Sequence, residues 1–557
     1  MHKKLEIAYQ NAMKFIENLY DSEFGAIRQM IIRTDDSGEK KEIWFHQTRH
    51  SFAYANLLLK QGKSDEAIKI IRKNLLIQEK NPKSPYYGLW PYFHEEPLDK
   101  MKTVDENWAA FCINHLLQSV IRYGDMLPES LHKDIKDAVR AALVLIEKRD
   151  ITPAYTNVSV LDFTVTLLAG EYYEWSHAIW YGTEKLIEAC EYLRQTGGFS
   201  EYNSSNYIKV VLDELDLLYS FTKNEEIKPY ILEMLDYGWK TVAEHYHKKT
   251  NQFCAPQARS YTTILKKSRA GWLKIASGRE DDLIEDNWLT MLHVDGTLDF
   301  KCPEKYREYF LKPRTAMYRE VFCRGTDWLP KQEASWYILP DYCIGSFSMS
   351  DLWGQRRALT AYWGTEEDLR YLNIRLMLNG NDFASGVIHT VQEENALMGI
   401  VNFMYNGGNT HIVLDRIDGK IQVKDLRLRF EIQTNNAEIE LKDDIFSFKD
   451  SYLPFNIEIL KAVFNGKNVE NKILEQDGKI YIDVIFYSGD EELDLRKLGE
   501  SFCAFSLHIG KEGDAFKNTS VAVDEHNVTL SGVWKGKKHT LSASSKPSSK
   551  EQLGILY

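Results

Sequence analysis

The spacing of apolar residues divides the chain in two. From residue 1 to about 310 they recur at helical intervals, and the segments come in pairs. "HSFAYANLLLKQG" is followed by "SDEAIKIIRKNLLIQEK", with a Gly stop and a Ser-Asp start between them. "ENWAAFCINHLLQSVIRYG" precedes "PESLHKDIKDAVRAALVLIEKR", and "NVSVLDFTVTLLAGEYY" precedes "HAIWYGTEKLIEACEYLRQTGG". "SSNYIKVVLDELDLLYSFT" precedes "NEEIKPYILEMLDYGWKTVAEHYHK". The first member of each pair is the more apolar, as expected where an inner ring of helices is enclosed by an outer one. Repeated helix hairpins of this kind predict an incomplete (α/α) toroid, or a solenoid, over residues 1–310.

Near residue 310 the period changes. "HIVLDRIDGKIQVKDLRLRFEIQT", "AEIELKDDIFSFKD", "KIYIDVIFYS" and "SFCAFSLHIG" alternate like strands, with Asp-Gly, Asn-Gly and Gly-Asp turns between them. "TSVAVDEHNVTLSGVWKGKKHTLSAS" continues the pattern, so residues 311–557 are expected to form an antiparallel β-sandwich. The stretch 311–400 is rich in Trp, Tyr, Arg and Gln and is expected to pack against the helical domain.

Composition narrows the function. The 557 residues are 44% hydrophobic, enough for two or more cores. The 31 Tyr and 13 Trp suit either large cores or a surface that stacks on sugar rings. A formal net charge of −12 excludes a general nucleic-acid binder. The seven Cys show no zinc-ligand spacing and read as free thiols of a reducing compartment. "MHKKLEIAYQNAMKFIENLY" is an amphipathic helix, not a signal peptide, and no stretch is apolar enough to span a membrane. A cytoplasmic location is the expectation.

The candidate chemistry lies in the loops that open the inner helices. "WFHQTRHSFAYA" carries His46, Arg49 and His50, "TVDENWAAF" carries Asn107, and "AYTNVSV" carries Asn157. "GGFSEYNSSNYIKV" carries Tyr202, Asn203 and Tyr207, and "CAPQARSYTTI" carries Gln257, Arg259 and Tyr261. In a toroid, successive inner helices start at the same end, so these loops are expected to share one cleft. An Asn or Asp in such a place is by itself an ordinary helix cap. Five polar-aromatic loops in the same structural slot favour a binding site. There is no HExxH, EF-hand, P-loop or GxSxG elbow, so metal, phosphate-loop and serine-nucleophile chemistry are not expected.

The architecture resembles the (α/α)-toroid polysaccharide lyases with a C-terminal antiparallel β-domain, such as alginate, heparin and chondroitin lyases. The residues that carry the resemblance are "EYNSSNY", "ARSY" one hairpin later, and "YILPDYCIGSFSMSDLWGQRR". Those lyases have an Asn, often beside a His, at one inner-helix entrance and a Tyr with a nearby Arg on the next. The resemblance implies that Asn203 holds a uronate carboxylate while Tyr261, beside Arg259, moves the proton. Ser204 follows Asn203 where several such families have His, so the histidine has to come from elsewhere, and His50 is the candidate. Trp353, Gln355 and Arg356 of "DLWGQRR" are candidates for a further sugar contact or for a domain anchor. The resemblance implies β-elimination on an anionic oligosaccharide or polysaccharide, acting from chain ends, with no cofactor. The alternatives are a glycoside hydrolase of the same fold and, from another class, a helical-repeat interaction scaffold.

Overall fold

The computed structural model describes residues 3–34, 39–284, 301–324, 331–349, 355–406, 418–435, 437–510, 515–549 and 551–553. Trp353 lies outside them. The helices are α1 (Lys3–Leu19), α2 (Thr48–Lys60), α3 (Ser64–Leu75), α4 (Trp108–Tyr123), α5 (Glu129–Arg149) and α6 (Thr156–Tyr173). They continue with α7 (Ser176–Thr196), α8 (Ile208–Phe221), α9 (Lys228–His245), α10 (Lys267–Ala276) and α11 (Glu304–Leu311). Together they are the helix hairpins of an (α/α) toroid, and an antiparallel β-sandwich follows. The chain gathers into two compact units. One comprises residues 1–192, 209–239 and 266–304, and the other comprises 193–208, 240–265 and 305–557.

In the first unit α2 packs on α4 and α4 on α6, while α3 packs on α5. The inner members are the apolar ones. Every residue of α6 from Thr156 to Gly170 is buried, whereas α3 buries only one face. Each fully buried Leu, Ile or Phe of this ring contributes about 1.5–3 kcal/mol. Close approach of α6 and α7 depends on two glycines. A Cβ on Gly170 would lie 2.8 Å from the Ile179 nitrogen, and one on Gly182 would lie 2.7 Å from Leu167 Cγ. Among the described residues, no helix is long and apolar enough to cross a membrane.

A three-stranded sheet departs from the all-helical reading of residues 1–310, as does a short pair of strands at Tyr246–His247 and Gln252–Phe253. Strands Tyr20–Asp21, Ala26–Thr34 and Lys40–Gln47 form a small antiparallel sheet between α1 and α2. The physical reason is visible in "AIRQMIIRT" and "KKEIWFHQ", which are rich in β-branched and aromatic residues.

In the second unit a nine-stranded antiparallel sheet runs from Glu470–Gln476 at one edge to Ala316–Cys323 at the other. It faces a seven-stranded sheet through aromatic pairs, Phe430 on Phe505 at 5.3 Å, Trp363 on Phe455 at 5.3 Å and Phe403 on Phe486 at 5.0 Å. A three-stranded sheet, Lys517–Val523, Asn527–Trp534 and Lys537–Ser544, covers the far side of the second sheet. Strand Ala396–Phe403 is therefore buried at all eight positions instead of alternating. All seven cysteines are buried and unbridged.

Candidate active site

The polar turn "GGFSEYNSSNY" lies in the second unit. Gly197, at φ +88°, ends α7 by returning its N–H to the Leu193 carbonyl at 2.8 Å. Asn203 takes the left-handed conformation at φ +49°, which Asn tolerates better than most residues. The side chains that follow bind the segment 254–262. Ser204 Oγ donates to the Arg259 carbonyl at 2.5 Å and accepts from the Tyr207 N–H at 3.2 Å. Ser205 Oγ donates to Gln257 Oε1 at 2.9 Å. Asn206 Oδ1 accepts from Ser260 Oγ at 2.9 Å and from the Tyr261 N–H at 3.0 Å. A third segment closes the seam. Gln257 and Arg357 exchange backbone hydrogen bonds, and the Ser260 N–H donates to the Gln355 carbonyl at 2.7 Å.

Beneath the turn runs a chain of buried polar groups. Asn203 Nδ2 donates to the Ala255 and Pro256 carbonyls at 2.7 and 3.2 Å, and its Oδ1 lies 2.8 Å from His245 Nδ1. His245 Nε2 lies 2.9 Å from the Tyr202 hydroxyl, which is 2.9 Å from Glu320 Oε2. Tyr202 also stacks on Phe322 at 4.0 Å. Glu320 and Phe322 alternate along strand Ala316–Cys323, so both face this layer. Burial drives the His245 imidazole well below its usual range, with Arg314 and Lys240 adding to the effect. Burial also raises the Glu320 carboxyl, against the opposing influence of the Tyr202 hydrogen bond and Lys240.

A second buried group sits beside it. Arg259 pairs with Glu201 and donates from Nε to Gln355 Oε1 at 2.9 Å. Its guanidinium lies 4.5 Å from the centre of the Tyr207 ring. Tyr207 is hydrogen-bonded to Tyr261, and burial raises its phenol far above the usual range. Tyr261 is 54% exposed. Gln355 Nε2 is buried and has no hydrogen-bond partner among the described residues.

The structure thus brings Tyr202, Asn203, Tyr207, Gln257, Arg259, Tyr261 and Gln355 together. Tyr202 and Asn203, at 1% and 3% exposure, lie inside the seam, with protein groups as their partners. Arg356 donates to the Ala384 and Gly386 carbonyls. Sequence reasoning missed His245 and Glu320. Glu201 was readable as the neighbour of Tyr202. His245 ends a helix, and Glu320 lies 118 residues from Tyr202, so no local pattern marks either.

The remaining candidates belong to the first unit. His46 Nδ1 meets Glu95 Oε1 at 2.5 Å, Nε2 lies 3.4 Å from Asp21, and the ring stacks on Phe24 at 3.7 Å. Arg49 lies over the Phe111 ring at 4.0 Å. Burial, helped by Arg49 and His115, pushes His50 down to about 3, so the ring is neutral at physiological pH. Asn107 accepts from Arg149 and donates to the Tyr155 hydroxyl at 3.3 Å. Asn157 is 3% exposed in the first turn of α6.

Helix hairpins followed by stacked antiparallel sheets define the structural class. The chain belongs to the family described as a domain of unknown function, DUF8769, whose model matches residues 7–302. No curated protein matches the sequence. Among solved structures, a chondroitinase AC lyase studied as oligosaccharide complexes is 9% identical, with 90% of this chain and 99% of that chain covered at a TM-score of 0.32. A β-arabinofuranosidase of glycoside hydrolase family 127 is 9% identical, with 97% and 90% covered at a TM-score of 0.27.

Proposed function

We propose that the protein is a carbohydrate-active lyase that cleaves a glycosidic bond beside a uronic acid by β-elimination, working from chain ends of an oligosaccharide or polysaccharide. The observation that carries the reading is Tyr261, an exposed phenol hydrogen-bonded to a second, buried phenol beneath a guanidinium. In the reaction the C5–H bond breaks and its proton is taken up. A C4–C5 double bond forms, and the C4–O bond breaks with a proton delivered to the leaving oxygen. Tyr261 is assigned one or both proton transfers, each worth about 10²–10⁴-fold. Tyr207 stays protonated and presents its hydrogen to the Tyr261 oxygen, where negative charge develops. Gln355 Nε2, which has no hydrogen-bond partner among the described residues, is assigned to the sugar carboxylate, whose enolate-like charge must be stabilised. Asn203 and Arg259 act from behind as positioning residues.

A panel of uronate polysaccharides and oligosaccharides, followed by ultraviolet absorbance, tests the reading. A conjugated product is expected, with kcat lowered about 10²–10⁴-fold by Tyr261→Phe. Absence of such a product from every substrate overturns it. New reducing ends without ultraviolet absorbance would favour a glycoside hydrolase.

A further inference from the structure

The chain from Asn203 to Glu320 contains a question of proton counting that is independent of the substrate. The two carbonyls facing Asn203 Nδ2 can only accept, which orients the amide. Its Oδ1 then accepts from His245, placing the ring proton on Nδ1. A neutral ring with that tautomer presents only a lone pair at Nε2. The Tyr202 hydroxyl lies 2.9 Å from this lone pair and 2.9 Å from the Glu320 carboxyl. Each contact requires one hydrogen, and the phenol has one. With Glu320 ionised, one contact sets lone pair against lone pair, either between Tyr202 and His245, 1% and 0% exposed, or between Tyr202 and Glu320, whose side chain is 20% exposed. His245 and Glu320 are 3.9 Å apart, so Tyr202 has to mediate between them.

We propose that the chain retains one further proton on Glu320, so that Glu320 donates to Tyr202, Tyr202 to His245 and His245 to Asn203. Glu320 is then the positioning residue that holds Tyr202 directly and orients Asn203 through Tyr202 and His245. Around the pair, Lys240 favours an ionised Glu320, while burial and Glu244 oppose it. Lys240 and Glu244 come from α9, Arg314 precedes the strand carrying Glu320, and Tyr318 lies on that strand. Trp336 of the neighbouring strand closes over His245 at 4.4 Å. Moving the proton to His245 would set an imidazolium among Arg314 and Lys240, and burial opposes it. Glu244 adds a negative neighbour that disfavours a second carboxylate.

Glu320 binds its proton more tightly folded than unfolded. Its contribution is complete below the unfolded carboxyl value, about 4.3, and is lost as pH rises through the folded value. The test is denaturant unfolding of the full chain from pH 5 to 9 for wild type, Glu320→Gln and Glu320→Ala. Gln keeps an N–H donor toward Tyr202 without titrating. Wild type is expected to lose folding equilibrium constant relative to Glu320→Gln, approaching tenfold per pH unit within the titration window. Glu320→Ala is expected to lie tenfold or more below Glu320→Gln at every pH, up to complete unfolding. Parallel wild-type and Glu320→Gln profiles would overturn the proposal, as would a Glu320→Gln protein no more stable than Glu320→Ala. Neither readout involves catalysis, so the lyase assignment can fail without this inference failing, and the reverse.

Discussion

The turn at 201–207 and the buried length of α6 both hold polar side chains out of water, in opposite ways. In the turn, Asn203, Ser204 and Ser205 each have specific partners from the segment 254–262 or from His245. In α6, Asp162 is 7% exposed and neither carboxyl oxygen has a hydrogen-bond partner among the described residues. Burial pushes that carboxyl up to about 7, with only partial relief from Arg149. The contrast teaches that burial alone does not make a polar group destabilising. Satisfied groups hold a conformation, and an unsatisfied ionisable group becomes a titrating one.

Five substitutions at four positions probe the two regions. Glu201→Gln, which removes the carboxylate paired with the buried Arg259, is expected to lower stability by about 3–5 kcal/mol in denaturant unfolding. Asp162→Asn acts in the opposite direction and depends on pH. The Asp162 carboxyl titrates at about 7 folded against 3.8 as a free group, so wild type weakens relative to the variant as pH rises between those values. Above pH 7 the gap is constant and at most about 4 kcal/mol, readable as a Tm difference that vanishes in acid. Asn203→Ala strands two carbonyls and His245 Nδ1, for a loss of about 2–3 kcal/mol. Asn203→Gly should recover roughly 1 kcal/mol of it, the part due to left-handed backbone. Tyr261→Phe should shift stability by less than about 0.5 kcal/mol while suppressing turnover. A large stability loss there would place Tyr261 with the seam instead of the substrate.

Much of the fold was legible because it rests on local periodicity. The apolar first helices of each pair became α2, α4 and α6, and the alternating runs after residue 310 became strands. The sheet at 20–47 was obscured because its strands sit between two strongly periodic helices. The candidate site was legible only at its hydrogen-bonding turns. "EYNSSNY" and "ARSY" do meet, but the sequence could not say which side chains face solvent. Asn203 looked available because an amide in a turn has no local partner. Its partners, Ala255, Pro256 and His245, arrive from 42 to 53 residues away.

The seam also bears on when this part of the protein becomes rigid. Its three segments, 201–207, 254–262 and 355–357, contain no long strand or helix, yet they are cross-linked by backbone and side-chain bonds spanning 52 to 100 residues. Contacts so distant in sequence close late in folding, because each must first overcome loop-closure entropy. Once closed they open together or not at all. Although irregular in backbone, the Gln257 and Ser260 amides should therefore exchange with solvent as slowly as core strands, making the seam one cooperative unit.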